Sequence, residues 1–269
     1  MIYENRNLIC KIAFTLAETL IVMGVIGVVA ALTLPNLNQS TGNKEKVAKL
    51  QKIYSNLQDA YGRAEAVYGP FYEWFTNDSG KKAYAKRAGE RITEFMKISK
   101  NCEFNEGQCF PEKVPVLRNT NGSPYYAMND GNGYSVITAD GMSARFYFAQ
   151  DLCNKDYVSS TYKTEDPVGA ANSPFAHSCG YIQVDIDGLN KGPNIAAKDV
   201  FYFYLNKDGL YPGGAPNQLG SDISDCFIQG ATCTYWVINN GNMDYLKADS
   251  NGKCNNSDIT LSWTNTSCN

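Results

Sequence analysis

The chain has 269 residues, enough for one large or two small domains with a real core. Its 24 basic and 27 acidic residues leave a net charge of −3 with no basic stretch, so no nucleic acid partner is expected. Charged residues are only 19% of the chain while Gly, Asn, Ser and Tyr are plentiful, which suits an extracellular, turn-rich β domain better than a cytoplasmic enzyme.

At the N-terminal end, Thr19–Leu34 carries no charge. Adding Phe14–Glu18 gives a 21-residue segment with Glu18 as its single ionisable group. A helix of that length reaches about 30 Å, the thickness of a hydrocarbon core. Arg6 and Lys11 precede it and Glu4 only partly offsets them, so the short N-terminus is expected inside and the bulk outside. A cleaved secretory signal would be cut after the apolar run, where GVVAA near Ala30 supplies small residues. A plain anchor has no use for a carboxylate, which costs about 2–3 kcal/mol at the bilayer centre.

The ordered run from Ala13 to Pro35 (AFTLAETLIVMGVIGVVAALTLP) resembles the cleavage and methylation signature of type IV pilins and type II secretion pseudopilins. The likeness covers the first 35 residues tightly. It implies a prepilin peptidase cut between Ala13 and Phe14, N-methylation of Phe14, and use of Glu18 to assemble with other pilin or pseudopilin subunits. Cutting there would create an ammonium that Glu18 of a neighbouring subunit can neutralise. The family usually has Gly where this chain has Ala13. It also implies a single-pass protein of the bacterial inner membrane, its head in the periplasm or outside the cell, assembled into a surface or periplasmic filament.

After a polar stretch at 36–46, Val47, Leu50, Tyr54, Leu57, Tyr61, Ala64 and Tyr68 recur at spacings of three and four. That is one apolar stripe, with Lys49, Lys52, Gln58 and Glu65 off it. Gly69-Pro70 stops the pattern. The first helix is therefore expected from Phe14 to Tyr68, with a kink or local melting around Pro35 and Gly42. A coiled-coil dimer would explain the stripe, but just over three heptads is short for one. The resemblance instead implies packing on a globular head. The divisions are a leader at 1–13, an assembly half-helix at 14–35, an amphipathic half at 36–68 and a head at 69–269.

Ser79–Lys100 reads as a second helix with Tyr84, Ala88, Ile92, Phe95 and Met96 on one side. The period then changes to two. Tyr134–Thr138 and Met142–Phe148 flank Asp140-Gly141, a hairpin signal, and the alternation in the second strand predicts one buried face. Tyr181–Ile186 and Val200–Leu205 complete roughly four antiparallel strands. The fold expected is α+β and pilin-like, a long helix on an antiparallel sheet, with Pro212–Asn269 as a loop-rich, disulfide-held extension.

Nine cysteines are present, and losing Cys10 with the leader leaves an even eight. Cys102, Cys109, Cys153, Cys179, Cys226, Cys233, Cys254 and Cys268 are read as disulfide candidates in an oxidising compartment. Metal binding is the rival, but there is no CxxC pair and His177 is the single histidine. The spacings 102/109, 226/233 and 254/268 allow local loops, with Cys153 and Cys179 left over.

Asp185, Asp187, Asn190 and Asp199 lie in a DxDG/GPN/DxF run similar to one in pseudopilin-like proteins, several of which bind calcium. These are hard oxygen ligands. The spacing is not that of an EF-hand, and a plain turn explains the same residues. No GxSxG, HExxH, phosphate loop or dinucleotide fingerprint occurs, so no enzyme and no other cofactor is expected. The function expected is a structural filament subunit, a minor one given about 200 residues beyond the stalk. A tip adhesin or binding subunit, or a secreted protein with an ordinary signal peptide, are the alternatives.

Overall fold

A computed structural model describes residues 16–105, 107–118, 124–128, 130–148, 153–156, 158, 160–215, 223–255 and 257–268. Among them the chain forms two compact units, 1–43 and 44–269, each taken here by itself. Helix α1, Leu16–Tyr68, contributes to both. It stays helical through Pro35 and Gly42, so the expected local melting does not occur. A single proline removes one backbone bond and leaves the flanking ones to carry the helix.

In the first unit α1 exposes Leu16, Leu20, Ile21, Val22, Met23, Val25, Ile26, Val28 and Val29. Among the described residues no helix is long and apolar enough to cross a membrane. That overturns the expectation of a single-pass inner-membrane protein. The physical reason is length. The uncharged run Thr19–Leu34 is bounded by Glu18 and Asn36, and at about 1.5 Å per residue it spans roughly 24 Å against a core of about 30 Å.

In the second unit the apolar stripe of α1 is the spine of the core. Val47, Leu50, Ile53, Leu57, Ala60, Tyr61 and Ala64 are buried, and Tyr54 stacks on Phe203 with centroids 5.2 Å apart. The stripe thus packs on its own head rather than in a coiled-coil dimer. Gly69 ends the helix at φ +80°, its N–H donating to Glu65 O, a conformation open to Gly at little cost. The following 3₁₀ turn, Phe71–Phe75, buries Phe71, Trp74 and Phe75 against the helix end.

The remaining elements are α2 (Lys81–Thr93), β1 (Ile98–Glu103), β2 (Lys113–Pro115), β3 (Tyr125–Ala127), β4 (Tyr134–Thr138), β5 (Ser143–Phe148), α3 (Ser160–Glu165), α4 (Pro167–Ala171), β6 (Ser178–Asp185), β7 (Val200–Asn206), β8 (Gly209–Pro212), α5 (Ile223–Ile228) and α6 (Cys233–Asn240). Two more 3₁₀ turns lie at Pro174–His177 and Asp244–Lys247. A six-stranded sheet runs β1-β4-β5-β6-β7-β8, antiparallel throughout, and β2-β3 form a second, two-stranded sheet. The fold is α+β with an antiparallel sheet.

Three expectations need correction. The second helix ends at Thr93, and residues 98–100 belong to β1, because Ile98 and Lys100 find backbone partners in Thr138 and Ile137. β5 is buried on both faces. Ala144, Phe146 and Phe148 join the main core, while Ser143 and Arg145 are buried too, Arg145 Nη1 lying 4.0 Å from Met128 Sδ of a second cluster that includes Phe110 and Val114. Arg145 is only 2% exposed, its Nη2 donating to Asp130 Oδ1 and its Nη1 to Gln183 Oε1 at 2.8 Å each. Pairing of this kind lets an arginine pass for a surface residue in the sequence. Finally, the C-terminal stretch, loop-rich as expected, is more than an extension: α5, α6 and the last 3₁₀ turn send Phe227, Trp236 and Tyr245 into the main core.

All eight candidate cysteines are paired, as 102–109, 153–179, 226–233 and 254–268. These are the local loops and the remainder that the spacing suggested. Each closes a short loop, and a loop of about 15 residues is worth about 3 kcal/mol in the chain-entropy account. Four such bridges point to an oxidising compartment.

Candidate functional site

Two places carry the candidate residues: the start of α1 and the loop between β6 and β7. Ala13 and Phe14 lie outside the described residues, as does the side chain of Glu18. Around Glu18 the helix exposes large apolar side chains from Leu16 to Val29. An exposed apolar surface of this extent is an interaction surface or a liability.

The loop cluster is built from the sheet upward. Asp185 ends β6, and its Oδ1 accepts from the N–H groups of Asp187 and Gly188 at 3.2 and 3.0 Å, folding the chain back at once. Gly188 has φ +81°, and a Cβ there would come within 2.1 Å of Gly141 O, so no other residue fits. Asp199 precedes β7, its carbonyl accepting from Ile186 N at 2.9 Å. Asp185 and Asp199 are fully buried, and Asp187 lies at the rim.

Helix α1 faces this loop with lysines at every third position. Lys46 Nζ donates to Asp199 Oδ1 and lies 3.5 Å from Asp187 Oδ2. Lys49 Nζ is 2.7 Å from Asp187 Oδ1 and 2.9 Å from Glu45. Lys52 Nζ is 2.7 Å from Asp140 Oδ2, in the β4–β5 turn. Partial burial opposes ionisation of Asp187, but the Lys49 hydrogen bond and the Lys46 charge outweigh it and hold its carboxyl below the usual range. Asp140 is held low against the same opposition by Lys52 and Thr138. The Asp187 hydrogen bond raises Lys49 in return.

Asp185 differs. Burial pushes its carboxyl up to about 7; the two backbone N–H groups pull against this, and the charges of Asp199 and Asp187 reinforce it. A carboxyl raised from about 3.9 in the unfolded chain lends stability below about pH 4 that is lost as pH rises toward 7. Asp185→Asn, which cannot ionise, is expected to track the parent near pH 4 and exceed it in stability near pH 8. Urea denaturation at the two pH values reads the difference, and a gap independent of pH would contradict it.

The structure therefore brings together Asp185, Asp187 and Asp199 but leaves Asn190 exposed. Two buried acceptors in the loop, Asp185 Oδ2 and Asn194 Oδ1, lack a hydrogen-bond donor. Those two oxygens suit a hard cation, but the lysines do not. A calcium ion among these carboxylates would lie against two ammonium groups already paired with Asp187 and Asp199. With Lys46 in place the residues do not fit calcium. Among the described residues no group of three or more His, Cys, Asp or Glu could hold a metal ion. Sequence reasoning missed Lys46 entirely; the signal was the 46/49/52 spacing along one edge of the stripe. His177 is exposed, two residues from the Cys153–Cys179 bridge.

No protein-family model, curated protein or solved structure matches the chain. A function must therefore be argued from the residues themselves, and the start of α1 has the chemistry furthest from that of an ordinary globular surface.

Proposed function

We propose that the chain is a minor structural subunit of a type IV pilus or type II secretion pseudopilus, trimmed before Phe14 by a prepilin peptidase and assembled through its N-terminal helix. The observation that carries this reading is the start of α1. Nine large apolar side chains between Leu16 and Val29 are exposed there, around a single carboxylate at Glu18. In a filament, equivalent helices would cover one another, removing about 25 cal/mol for each Å² of apolar surface taken from water. The Phe14 ammonium would meet Glu18 of the next copy. The same helix continues into the disulfide-braced unit from Lys44 onward, so the assembling segment and the head are one element of the chain.

The subunit works by assembly rather than by catalysis, and its partners are other pilin or pseudopilin subunits and the peptidase. Its head of about 200 residues favours a minor position over the main shaft. The test is to isolate filaments and probe them with antibody raised against the head. Cofractionation in fewer copies than the main subunit is expected; a chain found only apart from filaments would refute the reading.

A further inference from the structure

Two cations of the head, Arg118 and Lys198, line one cleft of about 500 Å³. Arg118 lies just beyond β2, held by its backbone N–H, which donates to Ile228 O at 2.7 Å. Its guanidinium donates to the carbonyl oxygens of Phe227, Tyr245 and Ala248, the last two at 3.0 and 2.6 Å. Three of its five N–H groups are thereby used, and among the described residues none of the five meets a carboxylate. Burial pulls the guanidinium down from its ordinary range, against the charges of Asp249 and Tyr245. Lys198 is half-buried, and among the described residues its ammonium has no hydrogen bond or ion pair. By contrast, the half-buried Lys46, Lys49 and Arg87 each meet an aspartate.

Among the described residues Asp249 is the one acid lining the cleft, and its Oδ1 already accepts from the N–H groups of Asn251 and Lys253 at 2.8 and 2.9 Å. Leu117, Leu246 and Ala248 supply an apolar wall. Two cations against one carboxylate leave one positive charge unmatched, and the wall beside them suits an apolar body. We propose that this cleft binds a monocarboxylate with an apolar body, its carboxylate set between Arg118 and Lys198. The guanidinium donors left over give direction, and the ammonium adds a point charge. A dianion such as phosphate would bring a second negative charge up to Asp249 with nothing to offset it. A free small acid and the C-terminus of a peptide present the same chemistry. The site goes beyond the filament reading and does not depend on how the N-terminal helix assembles.

The test titrates the full chain, in a mild nonionic detergent, with N-acetylleucine, its neutral amide and inorganic phosphate, read by isothermal calorimetry. N-acetylleucine is expected to bind in the low millimolar range, about what a ligand of its size reaches. The amide and phosphate should bind at least about tenfold more weakly. Lys198→Gln removes an ammonium that holds nothing else among the described residues, so the fold should stand and the affinity for N-acetylleucine fall by about tenfold or more. Asp249→Asn, whose oxygen can still accept from the same two N–H groups, should bind more tightly than the parent. An acetylated tetrapeptide ending in leucine separates the two sources. Tighter binding than N-acetylleucine assigns the site to a peptide C-terminus, equal or weaker binding assigns it to a free small acid, and both results support the proposal. It is overturned if N-acetylleucine gives no saturable heat by about 20 mM, or if the amide or phosphate binds as tightly. It is equally overturned if Lys198→Gln binds N-acetylleucine as the parent does, or if Asp249→Asn binds it no better.

Discussion

Glu18→Ala is expected to be trimmed normally and yet enter filaments at least about a hundredfold less than the parent. The cut precedes Phe14, four residues away, so the peptidase should still act. What the variant lacks is the partner for the new ammonium. Removing one member of a buried ion pair costs about 3–5 kcal/mol because the other charge stays buried alone. At 1.4 kcal/mol per factor of ten, that is a loss of two to three orders of magnitude in each subunit addition. The apolar face of α1 would remain intact, which separates the effect of charge from that of hydrophobic burial. Glu18→Gln, which keeps the hydrogen-bonding capacity, should fall between the two. Quantitative immunoblotting of isolated filaments measures this, and parental incorporation of Glu18→Ala would contradict the role given to the carboxylate.

Trp236→Ala should cause the largest loss of stability in the head. Trp236 is fully buried, packed against Phe227, Tyr245 and Trp263 with centroids 6.4, 6.3 and 5.9 Å away, and its Nε1–H donates to Asn242 Oδ1 at 2.9 Å. Truncating such a side chain costs about 3–5 kcal/mol, part for lost burial and part for the cavity left behind. In a unit of this size the melting point should fall by roughly 6–20 °C. The variant also distinguishes two pictures of the C-terminal stretch. If α6 belongs to the core of the sheet, one cooperative transition moves as a whole. If the stretch were an appended disulfide loop, the sheet would melt where it does in the parent.

How much of this was legible in the sequence depended on how local its cause is. The stripe from Val47 to Ala64 was readable because burial imposes a helical period on the helix that carries it. The Asp140-Gly141 turn was readable because the hairpin needs φ > 0 there, and Gly141 has φ +86°. Three of the cysteine pairs were suggested by their short separations, with Cys153 and Cys179 left over. What stayed hidden was long-range. Arg145 is buried only because Asp130 and Gln183, distant in sequence, meet it. α6 is short, and its place in the core rests on contacts with Phe227 and Tyr245 and on the bridge from Cys226 to Cys233. The candidate site divided in the same way. The three aspartates share one short run of the sequence, whereas the lysines that meet them come from a helix 138 or more residues away. The membrane expectation failed for a different reason: the count of residues included Phe14–Glu18, and the uncharged part alone is too short.

The central claim is that the chain is processed as a prepilin, and mass spectrometry of its mature N-terminus tests that most directly. The account predicts a chain beginning at N-methylated Phe14, lacking Cys10 and retaining eight cysteines in four bridges. A mature chain that still begins at Met1, or one that begins near Ala31, would contradict it.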